Sequence, residues 1–143
     1  MLKMSKKEKS SDTVAELKAK AEGEPIADLL KMRLVELAPG YAKVTMKVIP
    51  EFLNFNGLVF GGIVTALADQ AFAYASNSLA YPSFASQINI HFIAGAEVGD
   101  ELTAECRVVK SGRRVGISEM IVTDQKSNVI AKATGTTIPV NQS

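Results

Sequence analysis

The spacing of apolar and polar residues changes period several times along this chain. Residues 13–21 (TVAELKAKA) carry helical spacing, with Asp12 placed as an N-cap and Gly23 as a stop. Pro25 suits the first turn of a second short helix over residues 25–32. Strict alternation follows in residues 33–38 and 41–49, around a Pro39-Gly40 turn, and predicts a hairpin. Pro50 stops its second strand, and residues 51–59 read as loop. From Gly61 to Leu79 the pattern is helical and almost wholly apolar. Three or four long strands come last, over residues 84–93, 101–110, 112–124 and 128–139, with turn-rich links that read mostly as hairpins. A helix apolar on nearly every side must be wrapped rather than laid on a surface. The expected fold is therefore α+β: a curved antiparallel sheet wrapped around one long central helix.

At 143 residues the chain is expected to form one domain, residues 13–143, behind a basic flexible tail of residues 1–12. A net charge of +1 argues against nucleic-acid binding driven by backbone phosphates. The single cysteine, Cys106, excludes an internal disulfide, fits a reducing compartment and points to the cytoplasm; its strand-like setting makes it a small buried residue. The basic N-terminal stretch lacks the apolar block of a secretory signal. Residues 58–75 approach membrane-span length, but Gly61, Gly62, Asp69 and Gln70 interrupt them, so no membrane helix is expected.

The chemistry concentrates in residues 54–79. Asp69 is a lone carboxylate in an apolar helix, and its neighbours at helical spacing, Gly62, Thr65, Ala66, Ala73 and Ser76, are all small. Two readings stay open from the pattern alone. One is close helix–sheet packing with Asp69 tied up by a hydrogen bond. The other is a functional acid whose poor solvation lifts its basicity above the reference of about 3.9. Such a carboxylate can deprotonate water or attack a carbonyl itself. Backbone N–H groups at Gly61 and Gly62, at the helix N-terminus, would hold the oxyanion. A thioester suits this equipment because its thiolate leaves without acid assistance.

The run N-x-x-G-x-x-F-G-G at residues 54–62, followed by LADQAFAYASNS at 67–78, closely resembles the PaaI-like (phenylacetic acid degradation) hotdog-fold acyl-CoA thioesterases. The likeness continues through residues 88–114 and 129–136, and covers roughly residues 33–139. It implies hydrolysis of an acyl-CoA to coenzyme A and a carboxylic acid, with no cofactor, since coenzyme A is part of the substrate. It also implies a homo-oligomer, a dimer or dimer of dimers (a homotetramer), with the active site at the dimer interface. By position, Asp69 is the nucleophile or general base, Gly61 polarises the carbonyl through its N–H, and Asn54 orients water or carbonyl. Gly62 lets the substrate approach, Ser86 or Gln87 supports the site, and Lys110, Arg113 and Arg114 meet the phosphates of coenzyme A. The family commonly reads His-Gly-Gly where this chain has Phe60-Gly61-Gly62. Phenylalanine cannot orient a thioester as histidine does; it can shape an apolar acyl pocket.

Two other functions remain in view. A non-catalytic acyl-CoA-binding hotdog protein is favoured by Phe60. A hotdog enoyl-CoA hydratase or dehydratase needs a histidine beside an acid. His91 is the only histidine and alternates with Ile90 and Phe92, which makes it a structural or interface residue. No His/Cys cluster has metal-ligand spacing, so no metal is expected.

Overall fold

The computed structural model describes residues 3–140. Helices α1 (Lys6–Ala21) and α2 (Pro25–Leu30) precede strands β1 (Met32–Ala38) and β2 (Tyr41–Lys47). A 3-10 turn (Pro50–Phe52) and a loop lead into α3 (Gly61–Asn77). Strands β3 (Ser83–Phe92), β4 (Glu101–Ser111), β5 (Gly116–Thr123) and β6 (Val129–Pro139) follow. All six strands form one antiparallel sheet in the order β1-β2-β4-β5-β6-β3. Four of the five strand pairs carry a register shift, and such bulges bend a sheet, which lets this one curl around α3. The expected hotdog architecture is present.

Local expectations differ from the structure in five places. Helix α1 starts at Lys6, inside the stretch read as tail. Ser5, not Asp12, is its N-cap: Ser5 Oγ accepts from the Glu8 N–H at 3.2 Å, and Glu8 Oε2 accepts from the Ser5 N–H at 2.8 Å. Helix α2 ends at Leu30 because Lys31 turns left-handed, at φ 56°, and Met32 already belongs to β1. Strand β5 begins at Gly116, since the Gly112 N–H closes a turn on Val115 O at 3.0 Å. Strand β3 makes no hairpin with β4; it crosses to the far edge and pairs with β6.

The fifth difference concerns α3, which is not wrapped on every side. Val64, Leu67, Ala68, Ala71, Phe72 and Ala75 are buried against the sheet, chiefly β2, β4 and β5. Phe72 presses so hard on β6 that a Cβ on Gly135 would come within 2.5 Å of its ring. The opposite face, with Gly62, Asp69 and Ala73, is exposed in the single chain. The two sheet edges differ in the same way. Strand β1 packs against α1 and α2, whereas nearly all of β3 is open.

Candidate active site

The N-terminus of α3 is set by the loop before it. Asn54 Oδ1 accepts from the N–H groups of Asn56 and Leu58 at 2.9 and 3.1 Å, and the Asn54 N–H donates to Leu58 O at 2.7 Å. This Asx-type turn holds the strand-like bridge between Leu53 and Val59. The Phe60 N–H then donates to Phe52 O at 2.9 Å, which fixes the point where the helix begins. A helix leaves its first N–H groups without internal partners, and no described hydrogen bond uses those of Gly61 or Gly62. Asn54 thus spends its carbonyl on the loop; no described bond engages its side-chain NH2.

Two phenyl rings flank these amides. A Cβ on Gly62 would lie 2.6 Å from the ring of Phe60, and one on Gly61 would lie 3.1 Å from the ring of Phe92. Both rings are about half exposed. Phe92, at the end of β3, is a neighbour of the site that the sequence pattern does not single out. Its place follows from the β3–β6 pairing, which no local signal reveals.

Asp69 lies on the open face of α3, one helical turn from Ala66 and Ala73. Its side chain reaches solvent, yet the surrounding protein strips enough water to push its pKa above the ordinary carboxylate value. Desolvation is the only resolved cause; no cation among the described residues compensates it. The hydrogen-bonded packing reading is therefore not what the structure contains. Gly61 and Asp69 are eight residues apart on one helix, which at the helical rise is about 12 Å.

The other candidates are dispersed. Ser86 occupies the bulge between Ala85 and Gln87 and donates to Thr136 O at 3.2 Å; Gln87 is exposed beside it. Lys110, Arg113 and Arg114 are brought together, with Ile138 and Pro139, around an open hollow of about 810 Å³ at the β4–β5 turn. His91 pairs across the ladder with Lys132 and shares a hollow of about 470 Å³ with Glu105, Arg107 and Glu119. That hollow is on the outer sheet face, away from α3. Cys106 is fully buried, and burial pushes its thiol up to about 12.

A hydrogen-bonded cluster on α3 just after Asp69 also escapes the sequence pattern. Glu24, between α1 and α2, accepts from Tyr74 OH at 2.8 Å and from Gln70 Nε2. Gln70 and Tyr74 stand four residues apart on α3, so the pair is legible as a helical face, but its distant partner is not.

A sheet curled around one helix, with a desolvated acid on the helix face and unpaired amides at its N-terminus, defines a hotdog-fold thioesterase. The sequence profile of the Thioesterase superfamily matches residues 56–131, just over half the chain. The chain belongs to that family, on its PaaI-like branch. It is 34% identical to the acyl-coenzyme A thioesterase PaaI of Escherichia coli over 110 residues, covering 77% of this chain and 79% of that protein. The solved structure of E. coli PaaI superposes with a TM-score of 0.85 at 29% identity, covering 97% of this chain and 99% of that one. A Streptococcus mutans protein solved bound to acetyl CoA superposes with a TM-score of 0.74 at 29% identity, over 78% of this chain and 90% of that one.

Proposed function

We propose that this protein hydrolyses an acyl-CoA thioester, with Asp69 as general base or nucleophile and the Gly61 N–H polarising the carbonyl. The observation that carries the reading is the Asp69 carboxylate itself: uncompensated, poorly solvated and still reachable. The spare amide of Asn54 orients water or the carbonyl, and Ser86 or Gln87 supports the site from β3. The cations Lys110, Arg113 and Arg114 receive the phosphates of coenzyme A, a ligand class supported by the relative bound to acetyl CoA. No cofactor is needed.

The separation of about 12 Å along the helix is too long for one chain's Asp69 to attack a carbonyl held by the same chain's Gly61. The acid and the oxyanion donor therefore come from two copies. The open ladder of β3, the exposed Phe84, Phe92 and Ile93, and the bare face of α3 support a dimer joined along that edge. Charges of alternating sign on the outer sheet face, Glu105, Arg107, Glu119 and Lys132, favour further pairing into a tetramer. Among the described residues no helix is long and apolar enough to cross a membrane. With its one buried thiol the protein suits a reducing compartment such as the cytoplasm.

The test is a panel of acyl-CoAs, short to long and aryl, read by thiol release. Turnover abolished by Asp69→Asn with the oligomer intact is the expected result. Full activity in that variant would remove the proposed role. A second reading, acyl-CoA binding without cleavage, is favoured by Phe60 at the position of the family's histidine; tight binding with no thiol release across the panel would establish it. His91, on the outer face, gives hydratase chemistry no support.

A further inference from the structure

The outer side of the sheet carries charges arranged for self-recognition. Arg107 on β4 is paired across the ladder with Glu119 on β5, and Glu105 stands two residues away on its own strand. Tyr41 fixes this group: its hydroxyl donates to Glu105 at 2.7 Å, and the Arg107 guanidinium lies 4.6 Å from the centroid of its ring. Laid in reverse over its own equivalent, β4 brings Arg107 of one copy to Glu105 of the other, and the exchange is mutual. We propose that this face receives the same face of a second dimer, and that His91 gates the contact: the tetramer holds while its four imidazoles are neutral and parts into dimers when they take up protons. The proposal rests on the oligomer read above, a dimer joined along β3 and paired through the outer face, and adds its regulation.

Symmetry puts His91 at the centre. The two-fold axes of a tetramer built from two such dimers meet at one point, and that point lies on the dimer axis, which runs through the β3 seam. The four β3 strands therefore surround the centre, with β6 of each copy next to them. Outward from β3 stand Gln87, Asn89 and His91; outward from β6 stand Lys132, Thr134 and Thr136. Neither strand contains Asp or Glu, and His91 and Lys132 are their only ionisable side chains. Whatever the register of the seam, a partner's β3 thus offers His91 no acid. The carboxylates of the face, Glu119 and Glu105, stand two and three strands from β3, about 10 and 14 Å at ordinary strand spacing. In physiological salt that is at or beyond the reach of an exposed charge. Lys132 is diagonal to Glu119 across the β5–β6 ladder and can turn its long stem toward it; the short imidazole cannot.

The charges of the hollow cancel, Glu105 and Glu119 against Arg107 and Lys132, while His91 is neutral. Each proton gained adds an uncompensated charge directly across the ladder from Lys132. Histidine is the side chain that makes this change between pH 5 and 8. Because the assembled centre opposes the proton, association weakens as pH falls.

Sedimentation velocity over a concentration series, at pH 8 and pH 5.5, reads the gate without substrate. The expected result is a tetramer at pH 8 and a dimer at pH 5.5. The dimer–dimer Kd is expected to rise about 100-fold in acid, a little over threefold for each of four added charges. His91→Gln stays polar without the proton and is expected to be tetrameric at both; His91→Lys carries the charge permanently and is expected to be dimeric at both. His91 is exposed in the single chain, so neither change disturbs the core. A wild type that is tetrameric at both pH values, or a His91→Gln variant that parts in acid as the wild type does, would overturn the gate and leave the tetramer standing. Parting into monomers would overturn it too, by placing the loss at the β3 seam. A wild type that never exceeds a dimer at pH 8 would remove the tetramer and the gate together.

Discussion

The hydroxyl of Tyr74 donates to the carboxylate of Glu24 at 2.8 Å, across fifty positions of sequence. The bond ties the central helix to the link between the two N-terminal helices. Burial, then the hydrogen bond and charge of Glu24, hold the Tyr74 phenol well above its ordinary range, so it stays a donor at any working pH. Tyr74→Phe leaves a partly buried carboxylate one donor short. The expected cost is about 1–2 kcal/mol, read as a lower urea midpoint with an unchanged m-value.

Asp69 links activity and stability in opposite directions. Its native pKa lies above the unfolded value, so between the two the folded state holds a proton that the unfolded chain has lost. Asp69 thus places no burden on the fold in acid, and its burden grows as pH rises through that window. Asp69→Asn is expected to raise the denaturation midpoint at pH 7 and to match the wild type below pH ~3.9. Turnover is expected to drop by about 10²–10⁴ in the same variant. In the wild type, kcat/KM is expected to fall as pH drops through the raised carboxyl. An Asp69→Asn variant less stable than the wild type at neutral pH would contradict the desolvation described here.

Complementation tests the two-copy site directly. Gly61 is the first residue of α3, where proline is tolerated, and Phe60 before it is extended at ψ 127°. Gly61→Pro therefore deletes the N–H and keeps the helix. Alone, it and Asp69→Asn are both expected to be inactive. Mixed one to one and allowed to exchange, they are expected to recover about a quarter of wild-type activity, because half the two-fold dimers are mixed and each mixed dimer rebuilds one of its two sites. No recovery despite proven exchange would place acid and donor in the same chain.

Cys106 is fully buried, with its thiol pushed up to about 12. The native protein is expected to stay silent toward an aromatic disulfide reagent at pH 8 and to titrate one thiol in denaturant. Released coenzyme A can then be counted without a protein background. Rapid labelling of the native chain would mean that β4 opens locally.

How much of this is legible in the sequence depends on range. Strict alternation around Pro39-Gly40 predicts the β1–β2 hairpin, and the Gly61-Gly62 start of an apolar run locates α3. Asp69 stands out because a charge in such a run is costly. The early start of α1 is written locally too, in Ser5 and Glu8 at capping-box spacing, but the charged residues around them resemble a tail. The partner of β3 is not legible. Ladder pairing over some fifty residues leaves no periodic trace, so Phe92 over Gly61 and Phe84 beside Tyr74 come only with the fold. The cluster of Lys110, Arg113 and Arg114 is readable as a basic turn, while the hollow they share is not.

The unpaired rim of β3 carries a consequence for the cell as well as for the sheet. When competence resides in pairs, scarcity itself becomes an off-state: dilution parts the halves, and specific activity sinks before any chain unfolds. On the proposed two-copy site, such a thioesterase would stay quiet while rare and gain its power to drain acyl-CoA only once copies meet.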